Sequence, residues 1–225
     1  MEVVFRKIEA IVTRELACYA HDLEHVKRVY RLCLKLAADF PAVDREVLKA
    51  AAWLHDIARA QEDRDPTGST DHALRGAELA AAILTEVNFP KTKIEPVAHC
   101  IASHRFRSGV APESLEARLL FDADKLDVLG AVGLARSYIL AGEYGQPLYA
   151  AVPLDEYIRE NLVGGVANGL VKDLTKHAIN LEYELKFKLI PARLYTARAK
   201  LFAADRLKFM EAYFQRMQQE IAGEL

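Results

Sequence analysis

Two neighbouring residues, His55 and Asp56, form a combination that could bind a metal ion. Residues 44–59 have the apolar spacing of a helix with Ala51 and Ala52 on its buried face, so both side chains should point inward. Burying an unpaired carboxylate is costly, and a divalent cation is an economical partner for Asp56. For the dipeptide alone, an Asp56 salt bridge beside a hydrogen-bonded core histidine is the simpler interpretation.

A second acidic group lies in the sequence FDADKLD. Asp124 and Asp127 follow Leu120 by four and seven residues, so both belong to its apolar face if this segment is helical. Asp122 lies about 160 degrees round the helix from Asp124 and is the second choice for the same site. Lys125 is either a surface lysine that balances charge or a contact for a phosphate group.

Upstream, the sequence HDLEHVKRV places His21, His25 and Arg28 within two helical turns. His25 and Arg28 are three residues apart and share one side of the helix. A histidine beside an apolar stripe is more often a structural hydrogen-bonding residue than a ligand. His25 is therefore a candidate metal ligand only in combination with the other two groups.

Helical periodicity provides the elements that would position these residues. Helices are predicted over residues 3–19, 26–40, 44–59, 71–87, 92–104, 113–140 and 173–223, the last interrupted at Pro191. Loops are predicted over residues 61–70, 105–112 and 141–153, and a further break at Gly164 and Gly165. The fold class predicted is all-α, with a compact core over residues 1–149 and a C-terminal helical extension over residues 150–225 packed on it.

Composition is that of an ordinary globular protein, with 52% hydrophobic and 28% charged residues. The formal net charge of -2 predicts no binding to long nucleic acids or to anionic membranes. Cys18, Cys33 and Cys100 form no CxxC pair and are interpreted as reduced core residues. The sequence shows no signal-length apolar run, which predicts a cytoplasmic location.

Taken together, the order His25, then His55-Asp56 about 30 residues later, then Asp124 in DADKLD resembles the HD superfamily of metal-dependent phosphohydrolases. The phrases DADKLDVLGAVGLARSY and GEYGQPLY are similar to those of small standalone bacterial members, and so are EYELKFKL and TARAKLFAADRLKFMEAYF near the C-terminus. The resemblance implies a compact helical HD-domain core in which His25, His55, Asp56 and Asp124 hold the metal.

The resemblance also implies the chemistry. Two imidazoles and two carboxylates suit Mn²⁺, Fe²⁺, Co²⁺ or Ni²⁺, with Mg²⁺ as a further candidate. Such an ion lowers the pKa of a water molecule and neutralises a phosphoryl oxygen, so we expect hydrolysis of a phosphomonoester or pyrophosphate bond, with a nucleotide as the favoured small-molecule substrate.

Five further residues are candidates for catalytic roles. Asp127 could orient a ligand or the attacking water, whereas Lys125 and Arg28 could stabilise the charge of the transition state. His72 or His104 could protonate the leaving oxygen, contact substrate or form a weaker second metal site. Each role has a plain alternative: His72 beside Asp71 as part of a helix cap, and Arg28 as a surface ion pair.

Several alternatives remain open from the sequence. Relatives that bind two or three metals use further histidines, often adjacent, whereas His99 and His104 are separated by four residues. One ion per chain is therefore expected, with His99 structural. Arg105, Arg107 and Ser108 could meet a phosphate, or form a solvated loop. The other function classes are a non-catalytic metal-binding regulatory module and a diiron oxygenase, and the C-terminal helices could pair with a second copy.

Overall fold

The computed structural model describes residues 1–16, 23–106 and 108–225. Within these ranges the chain forms α-helices and short 3-10 helices and no β-strand, which confirms the all-α prediction. The α-helices are α1 (Glu2–Glu15), α2 (Leu23–Ala37), α3 (Arg45–Leu54), α4 (Arg59–Asp63), α5 (His72–Glu86), α6 (Lys91–Ala102), α7 (Leu115–Asp127), α8 (Gly130–Glu143), α9 (Leu154–Asn161), α10 (Ile179–Leu185), α11 (Ile190–Arg193) and α12 (Ala197–Ile221). The 3-10 helices cover Val163–Gly165, Leu174–Lys176 and Phe187–Leu189.

The first of two compact units comprises Met1–Asp127 and Leu194–Ala199. Helix α3 lies at its centre and contacts α1, α2, α6 and α7. Residues 50–52 of α3 are alanines without exposed surface, and their small side chains allow neighbouring helices to approach from several sides. Asp44 caps this helix by accepting hydrogen bonds from the backbone amides of Glu46 and Val47.

The third helix is shorter than the sequence predicts, because α3 ends at Leu54. The next four residues form a turn in which Ile57 N donates to Leu54 O and Arg59 N donates to Asp56 O. These bonds span three residues rather than four, so the backbone leaves the helical path before α4 begins. His55 and Asp56 are therefore presented from a turn and not from a helix face.

The second unit comprises Val128–Arg193 and Lys200–Leu225. The continuous helix predicted over residues 113–140 is wrong, because α7 ends at Asp127 and α8 starts at Gly130, whose φ of 77° suits glycine. The interruption predicted at Pro191 is also displaced, since this proline lies within α11 and the break follows Arg193. The predicted boundary between residues 149 and 150 stays a prediction.

Cys33 and Cys100 are buried free thiols, and burial raises the pKa of Cys100 to about 12. Cys18, His21 and Arg107 lie outside the described residues. Among the helices of the described ranges, none has the length and apolar content needed to cross a membrane. The cytoplasmic location stays a prediction.

Asp122 forms a buried polar contact within the first unit. One carboxylate oxygen accepts a hydrogen bond from the backbone amide of Tyr195, at 2.8 Å. The other accepts from the backbone amide of Thr196 at 2.8 Å and from its hydroxyl at 2.7 Å. The Asp122 carboxylate thus stabilises the two residues that immediately precede α12.

Replacing Asp122 with alanine should lower the free energy of unfolding by about 2–4 kcal/mol, because the backbone amides of Tyr195 and Thr196 and the buried Thr196 hydroxyl lose their acceptor. Urea unfolding followed by the fluorescence of Trp53, the chain's one tryptophan, measures this in the first unit. Mn²⁺ affinity of the folded Asp122→Ala protein should remain that of the wild type. A loss of metal binding without a loss of stability would contradict this assignment.

Candidate metal centre

Six side chains from separate parts of the first unit converge on one region. They come from α2, the turn after α3, the start of α5, the segment after α6, and α7; the residues are His25, His55, Asp56, His72, His104 and Asp124. Five of them are buried, and the Asp124 side chain is 14% exposed. Four imidazoles and two carboxylates in so small a volume need a common partner.

The first group contains the four residues that the sequence predicts as ligands. His25 Nε2 and His55 Nε2 are 3.2 Å apart. One oxygen of Asp56, Oδ2, lies 3.5 Å from His25 Nε2 and 3.7 Å from His55 Nε2. Asp124 Oδ1 lies 3.4 Å from His25 Nε2 and 3.9 Å from His55 Nε2.

The second group uses the other oxygen of Asp56. Asp56 Oδ1 lies 3.4 Å from His72 Nε2 and 3.8 Å from His104 Nε2. The two imidazole nitrogens are 3.2 Å apart, the same separation as in the first group. Asp56 therefore lies between two pairs of histidines and presents one oxygen to each pair.

Hydrogen bonds at Nδ1 determine which nitrogen of each imidazole is available. His55 Nδ1 donates to Ala52 O at 2.9 Å, and His104 Nδ1 donates to Ile101 O at 2.6 Å. Since a carbonyl oxygen only accepts, the proton is assigned to Nδ1, and Nε2 of both rings carries a lone pair in the neutral form.

The other two histidines rest on carboxylates. His25 Nδ1 donates to Asp127 Oδ2 at 2.8 Å, and His72 Nδ1 donates to Glu62 Oε2 at 2.6 Å. Carboxylates that bind the far nitrogen of an imidazole fix its orientation and increase the basicity of the ligating nitrogen. All four Nε2 atoms are thus directed towards Asp56.

The electrostatics of the centre reflect burial and close charges. Burial alone would lower the pKa of His25, but hydrogen bonds with Asp124 and Asp127 raise it to about 9. Burial lowers the pKa of His55, and it lowers that of His104 to about 3. Burial alone would raise the pKa of Asp124, yet Lys125 and His25 hold it well below its ordinary value.

These donors fit a divalent cation. Two atoms bonded to one ion at about 2.1 Å lie about 3.0–3.4 Å apart at bond angles between about 90 and 110 degrees. The distances from the histidine nitrogens to each other and to the carboxylate oxygens, 3.2 to 3.9 Å, are at or slightly above that range. In the second group, the Nε2 lone pairs of His72 and His104 face each other and repel when both rings are neutral, and a cation between them removes this repulsion.

The remaining predicted residues lie close to these ligands. Lys125 Nζ donates to Asp124 Oδ2 at 2.7 Å. Arg28 donates to both oxygens of Asp127, from Nε at 2.9 Å and from Nη2 at 3.1 Å, so it supports a carboxylate that orients His25. His99 lies outside both groups, where its Nε2 accepts a hydrogen bond from the backbone amide of Glu113.

Sequence reasoning missed Glu62 and the cations around it. Glu62 lies in α4, within a region where the sequence shows no periodicity. Arg105, which the sequence analysis assigns to phosphate or solvent, donates to Glu62 Oε1 at 2.7 Å. Ser108 donates to Asp71, and Asp71 rather than His72 caps α5. The sequence shows Glu62 and Asp63 as an acidic pair shortly after His55-Asp56. Glu62 is ten residues from His72, however, and no helical spacing predicts that the two side chains meet.

Comparison with known proteins identifies the family. The HD domain family matches residues 15–129, just over half of the chain. The chain is 30% identical to the uncharacterized protein YpgQ of Bacillus subtilis over 146 residues, or 63% of this chain and 66% of YpgQ. It is 27% identical to the 3'-5' exoribonuclease YhaM of the same organism over 141 residues, or 56% of this chain and 44% of YhaM. The sequence matches thus span just under two thirds of YpgQ and less than half of YhaM.

Solved structures show the same fold. A predicted HD superfamily hydrolase from an uncultured Thermotogales bacterium superposes with a TM-score of 0.62 at 27% identity, covering 96% of this chain and 91% of that chain. The crystal structure of YpgQ in complex with ADP superposes with a TM-score of 0.68 at 22% identity, covering 97% and 96%. The chain belongs to the HD-domain family of hydrolases, whose domains bind divalent metals.

Replacing Asp127 with alanine should weaken Mn²⁺ binding about 10–100-fold, because His25 loses the carboxylate that fixes its ring. Isothermal titration of the metal-free protein with Mn²⁺ measures the change. Asp39→Ala, which removes an exposed carboxylate that pairs with Arg198, serves as the control and should bind as the wild type does. Unchanged affinity in Asp127→Ala would show that the hydrogen bond does not support the ligand.

Proposed function

We propose that this protein is a metal-dependent phosphohydrolase that cleaves a phosphomonoester or pyrophosphate bond, with a nucleotide as substrate. The observation that carries the proposal is the convergence of His25, His55, Asp56 and Asp124 beside the amino group of Lys125. The family provides hydrolase chemistry in general, and the charges around the centre favour a phosphate group over a neutral substrate.

The first group would hold the catalytic ion, and Asp124 would be fixed in place by Lys125. A divalent ion bound there supplies positive charge for a phosphoryl oxygen and lowers the pKa of the water that serves as nucleophile. Lys125 Nζ is mostly buried beside Asp124, where it can share its charge with a phosphoryl oxygen as negative charge accumulates. Asp127 keeps the imidazole of His25 oriented throughout the reaction.

The second group would hold a second ion, and this differs from the expectation of one ion per chain. Asp56, His72 and His104 lie close enough to one another to hold a cation. Their Nε2 and Oδ1 atoms face inward, so they are better placed as ligands than as donors of a proton to the leaving group. Asp56 would then be a ligand in both groups, through Oδ2 in the first and Oδ1 in the second.

The charge of the centre supports a polyanionic substrate. The carboxylates of Asp56, Glu62, Asp124 and Asp127 are balanced by Arg28, Arg59, Arg105 and Lys125. Asp63 and Asp71, which contact Arg59 and Arg105, add two negative charges. Two divalent ions would still leave the centre positive, and phosphate groups with several negative charges provide the matching charge.

Two relatives guide the choice among phosphate compounds. YpgQ has been crystallised in complex with ADP, which favours a nucleoside di- or triphosphate. YhaM is a 3'-5' exoribonuclease, which makes a short oligoribonucleotide the alternative substrate. The net charge of -2 provides no overall positive field that would attract a long nucleic acid, so the small nucleotide is the first choice.

A phosphate-release screen tests the proposal directly. Nucleoside mono-, di- and triphosphates, inorganic pyrophosphate and a short oligoribonucleotide are each offered with Mn²⁺, Co²⁺, Ni²⁺ and Mg²⁺. We expect turnover of a nucleotide with at least one of these ions. Asp56→Ala and His55→Ala should each lower the rate by at least about 100-fold, because each removes a ligand. His99→Ala is the matched control and should retain activity, since His99 lies outside both groups.

Two outcomes would contradict the proposal. If Asp56→Ala retains full turnover, the activity does not come from this centre. If the metal-loaded wild type hydrolyses none of the compounds, the metal would be a structural component of a regulatory module.

Oxidation is a second candidate, because two cation groups that share a carboxylate could hold a pair of iron ions. The two groups together contain four histidines, twice the number in the predicted ligand set of His25, His55, Asp56 and Asp124. Oxygen consumption by the Fe²⁺-loaded protein, with a nucleotide present and absent, separates the two reactions. Phosphate release under nitrogen supports hydrolysis.

A further inference from the structure

Glu62 is the acceptor for three donors at the edge of the second group. Its Oε2 accepts from His72 Nδ1 at 2.6 Å and from Arg59 Nη1 at 3.0 Å. Its Oε1 accepts from Arg105 Nη1 at 2.7 Å. Each oxygen of Glu62 thus accepts from an arginine. The Glu62 side chain is 17% exposed, so these contacts are partly buried.

The first group contains a similar arrangement. There, Asp127 accepts from His25 Nδ1 and from Arg28, just as Glu62 accepts from His72 Nδ1 and from two arginines. In each group the second histidine rests instead on a backbone carbonyl three residues earlier. The two groups therefore have the same arrangement. In each, Nδ1 of one histidine donates to a backbone carbonyl, and Nδ1 of the other donates to a carboxylate that also accepts from arginine.

We propose that Glu62 is a positioning residue that fixes the tautomer and orientation of His72, and so sets the affinity of Asp56, His72 and His104 for a cation. This inference rests on the second ion of the proposed function. It gives a role to a segment, residues 59–63, whose sequence predicts neither a catalytic nor a structural function.

The direction of the hydrogen bond follows from the contacts. Arg59 Nη1 lies 3.3 Å from His72 Nδ1 and can only donate, but if Nδ1 accepted from it, the Nδ1 lone pair would face the Glu62 carboxylate at 2.6 Å. The shorter contact of Nδ1 is with the carboxylate, which can only accept. His72 Nδ1 therefore carries the proton, and its Nε2 faces Asp56 with a lone pair.

The two arginines keep Glu62 in this role. Because Arg59 and Arg105 occupy its two oxygens, the carboxylate is held against Nδ1 and away from the ion. Arg105 follows His104 directly in the chain, so its bond to Glu62 also connects the segment that carries His104 with the carboxylate that supports His72. Glu62 thus contacts His72 directly and is connected to His104 through the neighbouring Arg105.

A purely structural ion-pair network is the alternative, and Asp63 provides the matched control. Asp63 is adjacent to Glu62 and also contacts Arg59, at 3.2 Å, whereas the carboxylate that accepts from His72 Nδ1 and Arg105 is that of Glu62. Asp63→Asn removes the same charge as Glu62→Gln without altering the partner of His72. If the loss of one negative charge or of a contact with Arg59 alone changes metal affinity, Glu62→Gln and Asp63→Asn should show the same change.

The experiment is titration of metal-free full-length protein with Co²⁺, followed by equilibrium dialysis and by the visible absorption of the bound ion. The wild type should bind two Co²⁺ per chain. In Glu62→Gln the first ion should bind as in the wild type, and the second about 10-fold more weakly, because glutamine accepts a hydrogen bond but lacks charge. Glu62→Ala should weaken the second ion about 100-fold, and Asp63→Asn should bind both ions normally.

Three results would overturn the inference. These are wild-type affinity for the second Co²⁺ in Glu62→Ala, equal weakening in Glu62→Gln and Asp63→Asn, and a wild type that binds one Co²⁺ only. Urea unfolding of each variant, followed by Trp53 fluorescence, confirms that the first unit is folded. Phosphate release is scored separately, so a protein that hydrolyses nothing but loses its second Co²⁺ in Glu62→Gln refutes the proposed function and supports the role of Glu62.

Discussion

The buried carboxylate of Asp56 is the constraint on which the rest of the centre depends. Each of its oxygens faces a pair of imidazole nitrogens that are 3.2 Å apart. An ionised carboxylate at 4% exposure is costly unless positive charge lies nearby. His25, whose pKa is raised to about 9 by hydrogen bonds with Asp124 and Asp127, provides such charge to one oxygen, and a divalent cation would provide it to both. A cation on either side satisfies the carboxylate and the imidazoles together, which is why we regard the cluster as a binding site.

The helices of the first unit are arranged so that this cluster can form. The early end of α3 presents His55 and Asp56 from a turn, while the Asp71 cap begins α5 at His72. Helix α6 ends at Ala102, two residues before His104, and α2 and α7 supply the remaining ligands. Carbonyl groups and arginine-held carboxylates then fix the rings. The fold thus provides orientation, and the charge balance favours the polyanionic substrate that we propose.

Much of this could be predicted from sequence, but not the second group. Helical periodicity predicts the all-α class, and the order His25, His55-Asp56, Asp124 indicates the family, because these signals are local or depend on a short motif. The turn at residues 55–58 was missed because an apolar stripe does not show where hydrogen bonding changes from four-residue to three-residue spacing. The contact of Glu62 with His72 was missed because it joins a short helix to the start of another across a region without periodicity.

The most direct test of a shared Asp56 is anomalous diffraction from crystals grown with Mn²⁺, recorded at the manganese absorption edge. Our account predicts two anomalous peaks on opposite sides of the Asp56 carboxylate, one bounded by His25, His55 and Asp124, and the other by His72 and His104. Peaks that lie elsewhere, with none within bonding distance of Asp56, would contradict it.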